Sequence, residues 1–189
     1  MKTIYIMLSK SDTMVSKMIS ALSECEYTHA SIAFEKDLSP MYSFARKGRM
    51  PLPGGLRLEY TDRGYYSEHG NIPCALYELL VDDKAYYSAK RLVAEMMKQI
   101  DSYNYNVIGL LLCKLNITVY DREHHFFCSE FVGNVLTRSN ALKLPKPPSL
   151  MRPNDYTEIP ELSLCFRGKM EELARYCEVV RNGEMFYGA

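Results

Sequence analysis

Apolar and polar positions along the chain divide into short strand-like blocks in the first half and helical stripes around and after them. "TIYIMLS" at 3–9 is an apolar block that predicts a strand. Within "TMVSKMISAL", Met14, Met18, Ile19 and Leu22 share one helical face, and Asp12 is placed to cap that helix by accepting from its free N–H groups. "THASIAFE" carries the small and β-branched residues of a strand. "DLSP" punctuates it, and "MYSFARK" reads as the returning strand of a hairpin. "GRMPLPGG" is a loop marked by Pro51, Pro53 and the Gly54–Gly55 pair. "LRLEY" alternates, with Arg57 and Glu59 flanking Leu58. "TDRGYYSEHGN" has no period and reads as a surface excursion, and "PCALYELLV" predicts a strong strand.

The clearest helix is "DDKAYYSAKRLVAEMMKQID", with Asp82 or Asp83 as its cap and Leu92, Met96 and Ile100 spaced four apart. "YNVIGLLLCKL" predicts a short buried helix that "YNYN" at 103–106 caps and packs, and "NITVYD" a strand or an extended loop. "CSEFVGNVLTRSNAL" is helical, with Phe131, Val132, Val135 and Leu136 on one stripe. "KLPKPPSLMRP" is proline-rich, and no element is expected in it. "LSLCFRG" and "KMEELARYCEVV" close the chain as a strand and a helix. The pattern is α+β, and 189 residues fit a single domain spanning 1–189 with a core of its own.

Charge narrows the function classes. Lys+Arg and Asp+Glu both number 23, so no basic excess points to nucleic acid. No apolar run approaches the roughly 20 residues of a membrane span. The N-terminal apolar run is too short for a secretory leader, so a cytoplasmic protein with reduced thiols is expected. The six cysteines, Cys25, Cys74, Cys113, Cys128, Cys165 and Cys177, form no CxxC pair, which argues against a zinc site; no metal or cofactor is expected. Tyrosines number 15 and read mainly as packed rings with exposed hydroxyls.

Chemistry concentrates in "HHFFCSEFVGNVL", where Cys128 opens a helix. Free cysteines are most often buried and inert, and Cys74 and Cys113, in apolar runs, read as core. Cys128 differs because unpaired N–H groups at a helix start favour a thiolate and can hold an oxyanion during acyl transfer. A nucleophilic thiol needs a base. His124 and His125 lead into the helix on an extended approach and suit a surface or packing role. His69 lies in the irregular segment. His29 opens a strand among Thr28, Ala30 and Ser31, small neighbours that leave room for a helix to approach. Glu130 suits the first helical turn electrostatically. Arg46 could grip a substrate carboxylate bidentately, but an ordinary surface ion pair is the role expected of it.

"THASIAF", the hairpin strand "MYSFARKG" and, far downstream, "FCSEFVGNVL" resemble the circularly permuted NlpC/P60 group of papain-like thiol hydrolases. That group includes YiiX/YebB-like bacterial proteins and the lecithin:retinol acyltransferase-like enzymes. The resemblance spans roughly residues 1–140 and rests on short motifs in the permuted order: histidine, polar orienting residue, then cysteine on a helix. It implies a papain-like antiparallel sheet packed with helices, Cys128 as nucleophile and His29 as base, acting on a peptide, cell-wall peptide or lipid-acyl bond. A small intracellular amide is the favoured substrate. The third position falls at Ser43, a hydroxyl that cannot stabilise imidazolium as a carboxylate does. Glu35 shares the face of His29 but lies some 20 Å along the strand; Glu59, one strand further across the sheet, is the nearest carboxylate. The triad is therefore completed by Ser43 or by Glu59, or the site is a dyad. The rivals are a catalytically inactive ligand- or protein-binding module on the same scaffold and a redox sensor using Cys128.

Overall fold

The computed structural model describes residues 1–10, 26–46, 54–118 and 124–183. The helix expected after Asp12, Cys25, most of the loop around Pro51, the end of "NITVYD" and the side chain of Arg46 lie outside the described residues.

The period-two blocks become β1 (Lys2–Ser9), β2 (His29–Ala33), β3 (Met41–Arg46), β4 (Gly54–Glu59) and β5 (Pro73–Val81). A short parallel pair, β6 (Asn104–Tyr105) and β7 (His125–Phe126), follows, then β8 (Ser163–Lys169). Six of these form one antiparallel sheet in the order β4-β3-β2-β1-β5-β8. Alternation along each strand feeds two cores. Ile4, Ile6 and Leu8 of β1, Ala30 and Ile32 of β2 and Phe44 of β3 point to one face; Tyr5 and Met7, Ala33 and Met41 point to the other. Being covered on both faces, β1 is buried continuously from Ile4 to Ser9 and loses the alternation a one-sided sheet would show.

The first face is covered by α2 (Asp83–Lys98) and α4 (Cys128–Arg138), the second by α1 (Tyr65–Glu68) and α5 (Met170–Asn182). Asp82 caps α2, its carboxylate accepting from the Ala85 N–H at 2.7 Å. The buried stripe of α2 is Ala85, Tyr86, Ala89, Val93 and Met96. Of the expected stripe only Met96 is fully buried; Leu92 and Ile100 pack at the margin, and Ile100 has passed into a 3-10 turn, Ile100–Ser102.

In α4 the expected stripe holds: Phe131, Val132, Val135 and Leu136 are all wholly buried. Phe131 sets its ring 5.1 Å from that of Phe44 on β3, which fixes the height of the helix over the sheet. Phe131→Ala is expected to cost about 3–5 kcal/mol of stability, the usual range for a buried aromatic truncated without collapse of its site; a chemical denaturation midpoint checks it. Gly133 lets the proline-rich segment cross this helix closely, since a Cβ there would come 3.1 Å from the Tyr156 hydroxyl and 3.4 Å from Pro148 Cα.

Three expectations are corrected. The apolar segment after Tyr105 is a helix, α3 (Val107–Lys114), but it is not a buried one: Ile108 and Leu111 are 55% and 51% exposed. Only two turns long and lying at the periphery, it buries Gly109 and Cys113, half-buries Leu110 and Leu112, and leaves Val107, Ile108 and Leu111 outward. The excursion at 61–71 is not purely superficial, because α1 drives Tyr66 into the second core. The proline-rich stretch is not without elements either. Its prolines pre-set φ for two 3-10 turns, Pro148–Leu150 and Pro153–Glu158, which bury Met151 and Tyr156.

Candidate active site

Cys128 is the first residue of α4, and the start of that helix is fastened from three sides. Phe127, in an extended conformation, precedes it. The Glu130 carboxylate reaches back to accept the Phe127 N–H at 3.2 Å and also takes the Asn106 side-chain N–H at 3.3 Å. Asn106 in turn caps α3 by accepting from the Gly109 N–H at 2.8 Å. Ser129 donates its hydroxyl to the Met151 carbonyl at 2.7 Å, and Tyr156 donates to the Ser129 carbonyl at 2.7 Å. The free N–H groups of the first turn thus face a sulfur whose place is set by the surrounding fold.

His29 meets that sulfur from β2. Its Nε2 lies 3.1 Å from both carboxylate oxygens of Glu59, at the end of β4. Nδ1 is therefore the nitrogen left to face Cys128, and each of the two groups shifts the titration of the other. Pairing between β2 and β3 runs through Ala33–Met41 and Ile32–Tyr42. Below that the backbone of Ala30, with that of Ser129, favours the Cys128 thiolate. The packing of α4 against β2 brings the first residue of the helix to the histidine strand.

Burial and charge oppose each other at all three groups. Burial pushes the Cys128 thiol up, but the hydrogen bond and charge of His29, with the backbone of Ala30 and Ser129, outweigh it, and the thiol sits below its ordinary value. Burial would hold the His29 imidazole down; the Glu59 charge and the bonds to Cys128 and Glu59 lift it well above the usual range. Glu59, raised by burial, is brought below the ordinary carboxylate value by His29 and then by Ser31 and Ser43. The arrangement favours thiolate, imidazolium and carboxylate in line. Cys128 is only 3% exposed, so this charge is held away from bulk water.

No family model and no curated protein sequence matches this chain.

Of the two residues open for the third position, Glu59 contacts His29. Ser43 is wholly buried beside the same carboxylate and favours its anion, yet its hydroxyl closes no hydrogen bond and does not orient the ring. Glu35 pairs with Lys90 at 2.7 Å on the surface. The remaining histidines stay out of the site: His69 stacks on Tyr65 and bonds its carbonyl, and His124 packs near the Tyr103 ring. Cys74 and Cys177 are buried in the second core and Cys113 is buried on α3, while Cys165 is exposed. Burial pushes the Cys74 and Cys177 thiols up to about 12 and that of Cys165 to about 11. Among the described residues no cluster of His, Cys, Asp and Glu could hold a metal ion, and no helix is long and apolar enough to cross a membrane.

Ser9, Ser31 and Tyr66 were not singled out by the sequence. Ser31 hydrogen-bonds Glu59 at 2.6 Å, and the Tyr66 hydroxyl lies 3.1 Å from that of Ser9. The signal for Ser31 was present: it stands two residues after His29 and so on the same face of β2. Tyr66, in a segment without period, gave none.

Proposed function

We propose that the chain is a papain-like cysteine hydrolase that cleaves an amide or ester bond through an acyl-enzyme. The observation that carries the reading is the line Cys128–His29–Glu59, with the thiol drawn down by the imidazole and the imidazole drawn up by the carboxylate. In this reading the Cys128 thiolate attacks the substrate carbonyl carbon. The oxyanion that forms is met by N–H groups at the start of α4. His29 Nδ1 delivers its proton to the departing amine or alkoxide, the C–N or C–O bond breaks, and a thioester remains on Cys128. Water, activated by the now neutral imidazole, attacks the thioester and returns the thiolate; an alcohol or amine in its place would make the chain a transferase. Glu59 keeps the ring oriented and stabilises its charged form, a task a hydroxyl at the third position could not perform. A carboxylate there favours this reading over an inactive binding module on the same scaffold.

Native alkylation with iodoacetamide near pH 6, mapped by mass spectrometry, tests the reading. Because its pKa is lowered, Cys128 keeps thiolate below the usual thiol range and is expected to label first although buried. Exposed Cys165, pushed up, should lag. The same mapping after mixing with a p-nitrophenyl ester is expected to find the acyl group on Cys128. Faster labelling of Cys165, or an acyl group on another residue, would remove the assignment.

A further inference from the structure

Glu59 is served by more than its histidine. A carboxylate has about four acceptor positions, and the imidazole, equidistant from both oxygens, takes only one side of it. Ser31 donates to Oε2 at 2.6 Å, the short range of a hydroxyl bonded to an anion. Residues 29 and 31 project from the same face of one strand, so β2 alone supplies both donors, and the sheet fixes their separation.

Behind Ser31 stands Tyr66, carried in by α1. Its hydroxyl is buried 3.1 Å from that of Ser9, which pairs across the ladder with His29. Burial first, and then the nearby Glu59 charge, push the phenol well up, so it stays protonated; the Ser9 and Ser31 hydroxyls act in the opposite sense. The apolar neighbours on this face are Met7, Ala33, Met41 and Leu76. Polar groups buried in such a layer are unfavourable unless bonded. Alanine and phenylalanine would fill the same space if packing were the sole requirement.

We propose that Ser31, backed by Tyr66, is a positioning residue that fixes the Glu59 carboxylate against His29. The proposal rests on the hydrolase reading for its catalytic consequence but not for its geometry. The groups facing Glu59 are His29 and Ser31 from β2, Ser43 from β3 and Tyr66 from α1, with Cys128 of α4 beyond the imidazole. Losing the Ser31 donor makes Glu59 easier to protonate. The imidazolium is then less favoured, and the thiol holds its proton to higher pH.

The test follows the His29 titration by NMR and the pH profile of Cys128 alkylation by iodoacetamide in the full chain. Ser31→Ala is expected to lower the His29 midpoint by roughly one pH unit and to slow alkylation near pH 6 about three- to tenfold, the effect of one bond to a charged group. Tyr66→Phe should shift both in the same direction by less. In a Glu59→Gln background, Ser31→Ala should change neither, because its effect passes through the carboxylate. An unmoved His29 midpoint in Ser31→Ala overturns the proposal, and so does an effect that persists undiminished without Glu59. If Ser31→Ala does not fold, Tyr66→Phe decides, and an unmoved midpoint there overturns it. If wild-type Cys128 alkylates as an ordinary thiol, the hydrolase reading falls, while the His29 titration still decides the role of Ser31.

Discussion

Cys128→Ala is expected to abolish turnover of any amide or ester substrate, with a loss of about 10⁴-fold or more, because the neighbouring hydroxyl, Ser129, is engaged with the Met151 carbonyl and cannot take the place of the thiolate. The same change should leave the fold intact. The thiol is small, and the fastening of the helix runs through Glu130, Ser129 and Tyr156 rather than through the sulfur. Electrostatics add a modest cost. The thiolate is favoured where it stands, so removing it gives up its interaction with His29. The His29–Glu59 pair remains closed without it. The melting temperature should therefore fall by only a few degrees. Turnover by a purified, folded Cys128→Ala protein would eliminate the nucleophile. A large fall in melting temperature would mean that the thiol is structural.

Much of this arrangement could be read from the chain because its elements are governed by local pattern. The hairpin of β2 and β3 follows from alternation interrupted by "DLSP". Helix α4 follows from an apolar stripe that begins only after Cys128. The pairing of Cys128 with His29 needed more than pattern, since it depends on how α4 packs against β2, which lies in no single segment. The third position shows where such reasoning stops. Counting strands placed Ser43 beside the histidine strand, and that is where it lies, but its hydroxyl makes no hydrogen bond to the imidazole. Glu59 is one strand further out and spans the distance with two more carbons. Helix α3 misled for a different reason. An all-round apolar run looks buried in sequence, whereas the fold offered it contact on one side only.

Glu59→Gln and Ser43→Ala should therefore separate sharply in a single-turnover acylation assay. The amide introduced by Glu59→Gln keeps nearly the shape of the carboxylate but not its charge. It leaves a buried imidazolium with no anion at Nε2, and it can present its N–H₂ group to that nitrogen and favour the wrong tautomer. Loss of the orienting carboxylate costs on the order of 10⁴-fold in the serine-protease triad. A fall of roughly 10²- to 10⁴-fold is expected here, the thiolate being intrinsically the better nucleophile. The loss should be accompanied by a His29 midpoint lowered towards the ordinary imidazole value, because the largest influence raising it has gone. Ser43→Ala removes a wholly buried hydroxyl that makes no hydrogen bond. Its expected effect on acylation is within about threefold, limited to its mild support of the Glu59 anion. Stability should hold or rise slightly, since an unbonded buried hydroxyl is unfavourable where it stands. If Ser43→Ala slows acylation as much as Glu59→Gln, the hydroxyl is the orienting group. If neither slows it, Cys128 and His29 act as a dyad and the carboxylate serves the fold alone.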